Sequence, residues 1–330
     1  MKIAVIGATG LVGRMMLKVL EESKFFPGIE VIAAASAKSA GKKLLFQGRE
    51  IPVVDIAEAH TMNPNIALFS AGTEVSIDWA PRFVDNGVFV IDNSSAWRKL
   101  KGIPLVVPEI NAATIDRSTH IISNPNCSTI QMVLALYPLH REYRIKRVVV
   151  STYQSVTGSG AAAVQQLENE RAGLAGKQVF PHPIDLNLFP HGGTFLENGY
   201  TTEEQKLVDE TRKILNDEDI MITATVVRVP VYGGHSEAVN VEFSNPFDIE
   251  RVKELLAGTA GITLQDDVKS NIYPMPLLAE GRDEVFVGRI RRDESCPNAL
   301  NMWIVSDNLR KGAATNAVQI AEYLLKNKLV

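Results

Sequence analysis

"KIAVIGATGLVGRMMLKVLEE", residues 2–22, sets an apolar run of strand length, a glycine-marked turn and an amphipathic stretch directly one after another. Residues 2–7 have the length and composition of a short buried strand, and residues 11–22 fit an amphipathic helix. Gly7, Gly10 and Gly13 punctuate the join as G-x-x-G-x-x-G. A strand that turns on glycines into a helix leaves backbone N–H groups and the helix N-terminus available to a pyrophosphate. Gly7, Thr9, Gly10, Leu11, Val12 and Gly13 are therefore candidate dinucleotide contacts. The spacing departs from the common G-x-G-x-x-G form, and the plainer alternative is a tight β–α turn with no ligand.

Working outward, the same rhythm continues. Residues 29–35, 66–71 and 88–94 read as further strands, and 73–86 as a helix between the last two. Alternating strands and helices predict an open, doubly wound, mostly parallel sheet, a Rossmann-like nucleotide-binding domain. Dinucleotide folds that prefer NAD place an acid at the end of the second strand, to bond the ribose 2′-hydroxyl. Here that segment reads "AAASAKSAGKK", and no acid occurs from 31 to 49. Ser36, Lys38 and Ser39 offer donors to a 2′-phosphate instead, which points to NADP. A solvated basic loop would account for Lys42 and Lys43 equally well.

From about residue 145 the texture changes. Residues 146–156, 220–231, 237–243, 284–290 and 299–306 read as strands, with helices at 159–171 and 203–215 and a loop-rich stretch over 173–200. Strands with few helices between them predict a mixed or antiparallel sheet in an α+β second domain. Residues 309–326 read as a long closing helix. The expected class is α/β in two domains, residues 1–127 with 309–330 and residues 128–308.

Composition narrows the function. The 330 residues carry a formal net charge of −4, so no basic footprint for nucleic acid is present. No stretch reaches the roughly 18 to 20 apolar residues of a membrane span. No signal-peptide core follows the N-terminus, and the expected location is the cytoplasm. Two cysteines, Cys127 and Cys296, do not make a disulfide scaffold. Without a CxxC pair or an HExxH helix, no metal site is expected.

Cys127 stands in "SNPNCSTIQMVLALYPL", residues 123–139, between an Asn-Pro-Asn turn and an unbroken apolar run. A thiol at a helix N-terminus ionises more readily, because unpaired N–H groups and the helix dipole favour the thiolate. Cys296 lies among polar residues without helix context. A nucleophilic thiol needs an acid/base partner. Of the six histidines, His60, His120 and His140 have ordinary surroundings, and His182 and His191 fall in the Pro/Gly-rich loop. His235 follows "VPVYGG", where two glycines let the backbone bend and aim the ring.

The ordered series "GATGLVG", "NSSAWR", "ISNPNCSTIQ", "STYQSVTGSG" and "RVPVYGGHS" resembles bacterial aspartate-β-semialdehyde dehydrogenase over nearly the whole chain. The resemblance implies an enzyme that joins phosphate, an aldehyde and NADP to give an acyl phosphate, on the route to lysine, methionine, threonine and isoleucine. It implies Cys127 as the nucleophile that forms a thioester, Gln154 as the residue that orients the acyl group, and His235 as the acid/base. It implies Arg228 on the substrate α-carboxylate, Glu203 on the α-ammonium, and Lys206, Arg98 and Asn126 on the phosphate. Thr157, Gly158 and Asn308 would touch the nicotinamide. The implied small-molecule partners are aspartate semialdehyde, phosphate and aspartyl phosphate, and the implied assembly is a homodimer through the second domain.

Three other readings stay open on the residues. N-acetyl-glutamyl-phosphate reductase runs the same chemistry on a substrate with no free ammonium, which leaves Glu203 without a purpose. Glyceraldehyde-3-phosphate dehydrogenase shares the logic with different neighbours around the cysteine. A silent nucleotide-binding paralogue is opposed by the intact set Cys127, Gln154, Arg228 and His235. For Glu203, Lys206, Arg228 and Arg98 the plainer alternative is solvated surface charge.

Overall fold

Strand β1 (Lys2–Ile6) feeds two different cores from its two faces. Ile3 and Val5 pack with Met16 and Leu20 of helix α1 (Leu11–Glu22) and with Ile320 and Leu324 of the C-terminal helix Thr315–Lys326. Ala4 and Ile6 pack in a second cluster with Phe69, Phe83 and Val90. Successive side chains on a strand point to opposite faces, so a strand covered on both sides must be apolar throughout. This is why residues 2–7 show no alternation.

The computed structural model describes residues 1–330. It divides into two units, Met1–Asn126 with Ala313–Val330, and Cys127–Gly312. The first unit continues with β2 (Glu30–Ala35), β3 (Lys43–Phe46), β4 (Arg49–Asp55), α2 (Ile56–Thr61), β5 (Ile66–Phe69), α3 (Thr73–Asp85), β6 (Phe89–Asp92), α4 (Pro108–Asn111) and β7 (Ile121–Ser123). Its seven strands run in the order β3-β4-β2-β1-β5-β6-β7, with the chain reversing direction across the centre. All pairings are parallel except β3 with β4. That doubly wound arrangement matches the expected class. The β3–β4 hairpin was not expected: Lys43 and Leu45 face solvent while Leu44 and Phe46 are buried, a half-buried edge strand too short to stand out from its polar flanks.

The second unit begins with α5 (Cys127–Tyr143), followed by β8 (Ile145–Gln154), α6 (Ala161–Arg171), α7 (Thr202–Leu215), β9 (Met221–Arg228), β10 (His235–Phe243), α8 (Ile249–Ala257), β11 (Ile262–Leu264), α9 (Pro276–Ala279), β12 (Val285–Arg292) and β13 (Ala299–Ser306). Its sheet has six strands in the order β11-β12-β13-β10-β8-β9. The β8–β9 and β11–β12 pairs are parallel and the rest antiparallel, so the sheet is mixed, as expected for the second domain. Helix α5 is buried nearly all round and packs on this sheet, which explains its unbroken apolar run.

Two boundaries and two whole elements differ from the sequence reading in ways that matter. Strand β10 starts at His235 and not at residue 237, so the histidine is the first strand residue, paired with Ser306 of β13. The closing helix is preceded by a wider π turn over Arg310–Ala314, and its regular part starts at Thr315. Helix α8 and strand β11 were not foreseen at all. No helix is long and apolar enough to cross a membrane.

Candidate active site

Three elements of the second unit meet at the C-terminal end of β8. Gln154, its last residue, is the register partner of Arg228, the last residue of the parallel strand β9. Gln154 Nε2 donates to Ser128 Oγ at 2.9 Å, which ties the strand end to the first turn of α5, where Cys127 is the opening residue. The next residue, Ser155, donates its backbone N–H to His235 Nδ1 at 3.1 Å. Cys127, Gln154, Arg228 and His235 are thus held by one strand end and its neighbours.

Arg228 and His235 are both buried, His235 completely. Arg228 Nη1 donates to the Ser155 carbonyl at 2.8 Å, and its backbone pairs in both directions with Phe189. The surface-charge alternative for Arg228 therefore fails. Burial lowers the pKa of its guanidinium, while the negative groups of Glu203 and Cys127 oppose that shift. Because a backbone N–H only donates, Nδ1 of a neutral His235 must be the acceptor, and the ring proton is assigned to Nε2. Nε2 is buried with no protein partner. A Cβ on Gly158 would lie 2.9 Å from Nε2 and 3.0 Å from Arg228 Nη1. Only glycine lets the ends of both groups come this close to the backbone at residue 158.

Burial, and after it the charge of Arg228, lower the His235 pKa from 6.5 to about 3, with Glu203 acting the other way. Glu203 and Lys206 lie on one face of α7 as the i, i+3 spacing requires, and pair with each other at 2.7 Å. Their helix is fixed by a capping box between Thr201 and Glu204, and Glu204 also accepts the Val226 N–H of β9 at 3.0 Å. The loop before α7 needs its glycines. Gly193 has φ +74°, and a side chain there would collide with Thr202 Oγ1; one on Gly192 would meet Val226 and Glu203.

Thr157 and Asn308 lie on the Nδ1 side of His235. Asn308 Oδ1 accepts from Ser155 Oγ at 3.1 Å, Thr157 Oγ1 at 3.2 Å and Gly234 N–H at 3.2 Å. Ser155 and Ser128 were missed by sequence reading, as were Gln131, whose Nε2 donates to the His235 carbonyl at 3.3 Å, and the fully buried Glu237. Burial pushes the Glu237 carboxyl well above its usual range, against a hydrogen bond from Gln131. The other histidines have structural partners. His60 bonds to Asn86, His120 stacks on Phe89, His140 faces Asp217 and His191 stacks on Phe195, while His182 is exposed.

In the first unit the glycine turn has the build a dinucleotide needs. Gly7 has φ +91°, and a side chain there would collide with the Ser70 carbonyl; one on Gly13 would collide with the Gly7 carbonyl. Gly10 caps α1 with no side chain over the helix end. Gly7 and Ala8 N–H both bond the Ala34 carbonyl, at 2.8 and 2.9 Å, so the turn is laced to the end of β2. Ser36 and Lys38 follow that strand end, exposed, with Ser39 half-buried. These residues fit a dinucleotide with a phosphorylated ribose. Arg98 and Asn126 belong to this unit and are buried, and Arg98 Nη2 donates to the Asn93 carbonyl at 2.6 Å.

Comparison with known proteins bears on the whole chain. The family model for the semialdehyde dehydrogenase NAD-binding domain matches residues 2–118, and that for the semialdehyde dehydrogenase dimerisation domain matches residues 136–311. The aspartate-semialdehyde dehydrogenase of Aquifex aeolicus is 51% identical, covering 100% of this chain and 99% of that protein. The chain belongs to the aspartate-semialdehyde dehydrogenase family. That of Bacillus subtilis is 45% identical, over 99% of this chain and 98% of its own. The crystal structure of aspartate semialdehyde dehydrogenase II from Vibrio cholerae, complexed with ASA, superposes with a TM-score of 0.94 at 46% identity, covering 99% of this chain and 98% of that one. As a member of the aspartate-semialdehyde dehydrogenase family the chain is an oxidoreductase with a nicotinamide-dinucleotide-binding domain and a dimerisation domain.

The buried histidine gives a stability signature. His235 has a folded pKa of about 3, below its unfolded value of 6.5. Its contribution is complete above pH 6.5 and is lost as the pH falls toward 3, because only the unfolded chain takes up the proton in that window. Glu237, shifted upward, acts with the opposite sign. Replacing His235 by Gln should therefore reduce the loss of unfolding free energy between pH 7 and pH 5 by about 2 kcal/mol. Parallel urea titrations of parent and variant at the two pH values measure it, and equal losses would count against a neutral buried ring.

Proposed function

We propose that this chain interconverts L-aspartate 4-semialdehyde plus phosphate and L-4-aspartyl phosphate, with NADP, through a thioester on Cys127. The observation that carries the reading is the convergence of Arg228 Nη1 and His235 Nε2 on Gly158, beside the strand end that is tied to the helix opened by Cys127. A guanidinium there is matched to a carboxylate, which it grips with two parallel hydrogen bonds. An imidazole N–H there is matched to an oxygen that gains charge.

In the oxidative direction Cys127 Sγ adds to the aldehyde carbon, and His235 Nε2 gives a hydrogen bond to the resulting oxygen. Gln154, fixed by Ser128, orients the acyl group. Oxidation of the Cys127 adduct to the thioester needs a hydride acceptor, the chemistry that NADP would supply when bound. Phosphate, held by Lys206, Arg98 and Asn126, then attacks the thioester carbon, and the Cys127 thiolate leaves. Arg228 holds the α-carboxylate and Glu203 the α-ammonium throughout. Covalent catalysis divides one hard step into two easier ones. Glu203 and Lys206 neutralise each other in the free protein, and each has a charge to offer when the substrate divides them.

Gly7, Thr9, Gly10, Leu11, Val12 and Gly13 would hold the pyrophosphate, Ser36, Lys38 and Ser39 the 2′-phosphate, and Thr157, Gly158 and Asn308 the nicotinamide end. Support for NADP comes from the acid-free end of β2. A Candida albicans aspartate semialdehyde dehydrogenase solved with NADP superposes at a TM-score of 0.79 and 27% identity. The first unit serves the nucleotide, and the second serves catalysis and dimerisation. A homodimer is supported by the match of residues 136–311 to the semialdehyde dehydrogenase dimerisation domain. Two free cysteines are in keeping with work in the cytoplasm.

Three substitutions test this reading. Cys127→Ser should bring phosphate-dependent oxidation of aspartate semialdehyde below a tenth of the parent rate, with NADP binding near normal, since a serine hydroxyl is scarcely ionised at neutral pH. Lys38→Glu should shift the NADP/NAD affinity ratio about tenfold or more against NADP, the value of one charge-assisted contact. An unchanged ratio would take residues 36–39 out of the ribose site. Arg228→Lys keeps the charge and loses the planar fork, so kcat/KM for the semialdehyde should fall by roughly one to three orders of magnitude. A fully active lysine variant would end the α-carboxylate assignment.

A further inference from the structure

Gly312 lies in the π turn Arg310–Ala314, just before the closing helix, and its own conformation does not call for glycine. Its φ is not positive, so any residue could adopt its backbone. Glycine in a helical turn is less stable than alanine, because it loses more backbone freedom on folding. The reason for it is space. A Cβ on residue 312 would lie 3.0 Å from Cys127 Cβ. Carbon atoms in ordinary contact stand about 3.5 to 4.0 Å apart.

A clash with the far end of a side chain is relieved by a change of rotamer. Cβ is fixed by the main chain, so Cys127 can retreat only if the start of α5 moves. That start is tied to the end of β8 through Ser128 and Gln154, at 2.9 Å. The turn on the other side is held as firmly. Asp307 is buried, and its Oδ1 accepts from the N–H groups of Leu309 at 2.8 Å and Arg310 at 3.1 Å, while its Oδ2 accepts from Gly281 N–H at 2.7 Å. The Asp307 carbonyl accepts Gly312 N–H at 3.1 Å, the i to i−5 bond of a π turn. Buried Arg310 grips Asp283 with Nε and Nη2, both at 2.8 Å. Single π turns are rare and frequently stand at functional sites. This one brings bare main chain against the residue that carries the thiol.

We propose that Gly312 is a positioning residue for Cys127: its missing side chain lets the turn held by Asp307 lie directly on Cys127 Cβ, and that contact fixes where Sγ sits. The assignment deepens the proposed role of Cys127 as nucleophile and rests on it. Reacting atoms must be closely aligned, and a misplacement of about 1 Å can cost about a hundredfold in rate. With both sides of the contact anchored, an added methyl group has to move the nucleophile, and a few tenths of an ångström are enough to be read in the rate.

The test is Gly312→Ala. Phosphate-dependent kcat should fall roughly three- to thirtyfold, with KM for the semialdehyde and the affinity for NADP changed by less than about twofold. A second readout is a cycle with Cys127→Gly, which removes the Cβ that residue 312 would meet. In that background Gly312→Ala should raise Tm by roughly 1 to 3 °C, the benefit of alanine in a helical turn. With Cys127 in place the rise should be absent or reversed, because the new methyl group is overpacked. An unchanged kcat in Gly312→Ala would overturn the proposal, and so would equal Tm shifts in the two backgrounds. A fall in kcat matched by an equal fall in NADP affinity would also overturn it, since residue 312 would then act on the dinucleotide. The Tm cycle is read without turnover, so it stands apart from the Cys127→Ser result, which alone decides the parent reading.

Discussion

Strand β8 lies between β9 on one side and β10 on the other, and its register with both holds the reactive groups together. Gln154 is level with Arg228 across the parallel pair, and Tyr153 is level with Ser236 across the antiparallel pair. Side chains alternate faces along a strand, so a slip of one residue between β8 and β9 would put Gln154 and Arg228 on opposite faces of the sheet. Such a slip is opposed by apolar burial along the strand, where Val148 and Val150 are buried, as are Val239 and Val241 of β10. Buried valines far from the reacting atoms thus set where the guanidinium and the imidazole point.

The site joins polar groups to low water access. His235, Gln154, Ser155, Ser128, Gln131 and Glu237 are all buried, and most bond to one another or to the backbone. Burying such groups is costly unless they are paired, and the pairing gives the site its rigidity. The atoms left without protein partners include His235 Nε2 and Arg228 Nε. Gln131 Oε1 and both Glu237 carboxyl oxygens are unpartnered too, but an open donor such as His235 Nε2 is suited to a ligand with acceptor oxygens. Gly158 belongs to the same device, because a Cβ there would collide with His235 Nε2 and Arg228 Nη1.

Much was legible in residues 2–22 and in the ordered motifs. A strand that turns on glycines into a helix has few structural outcomes, since the φ of +91° at Gly7 and the close approach at Gly13 admit no side chain. The apolar strands without alternation already required cover on both faces, and hence a doubly wound sheet. The mixed character of the second sheet was readable from strands crowded together with few helices. Less was legible where signals were short: the β3–β4 hairpin, α8 and β11 have few residues and little periodicity.

By itself, the sequence determined the family, the two-part α/β class and the identity of the reactive residue types, because those rest on local patterns and ordered motifs. It left open whether Arg228 and Glu203 were surface charge. Only the tertiary structure decided that Arg228 is buried beside His235, that Glu203 and Lys206 pair with each other, and that Ser155 bonds Nδ1 with Asn308 behind it. Those facts depend on strand register and on contacts between residues far apart in the chain, such as Ser155 and Asn308. No local pattern in one stretch specifies which distant stretch will lie against it; the packing of the buried faces does.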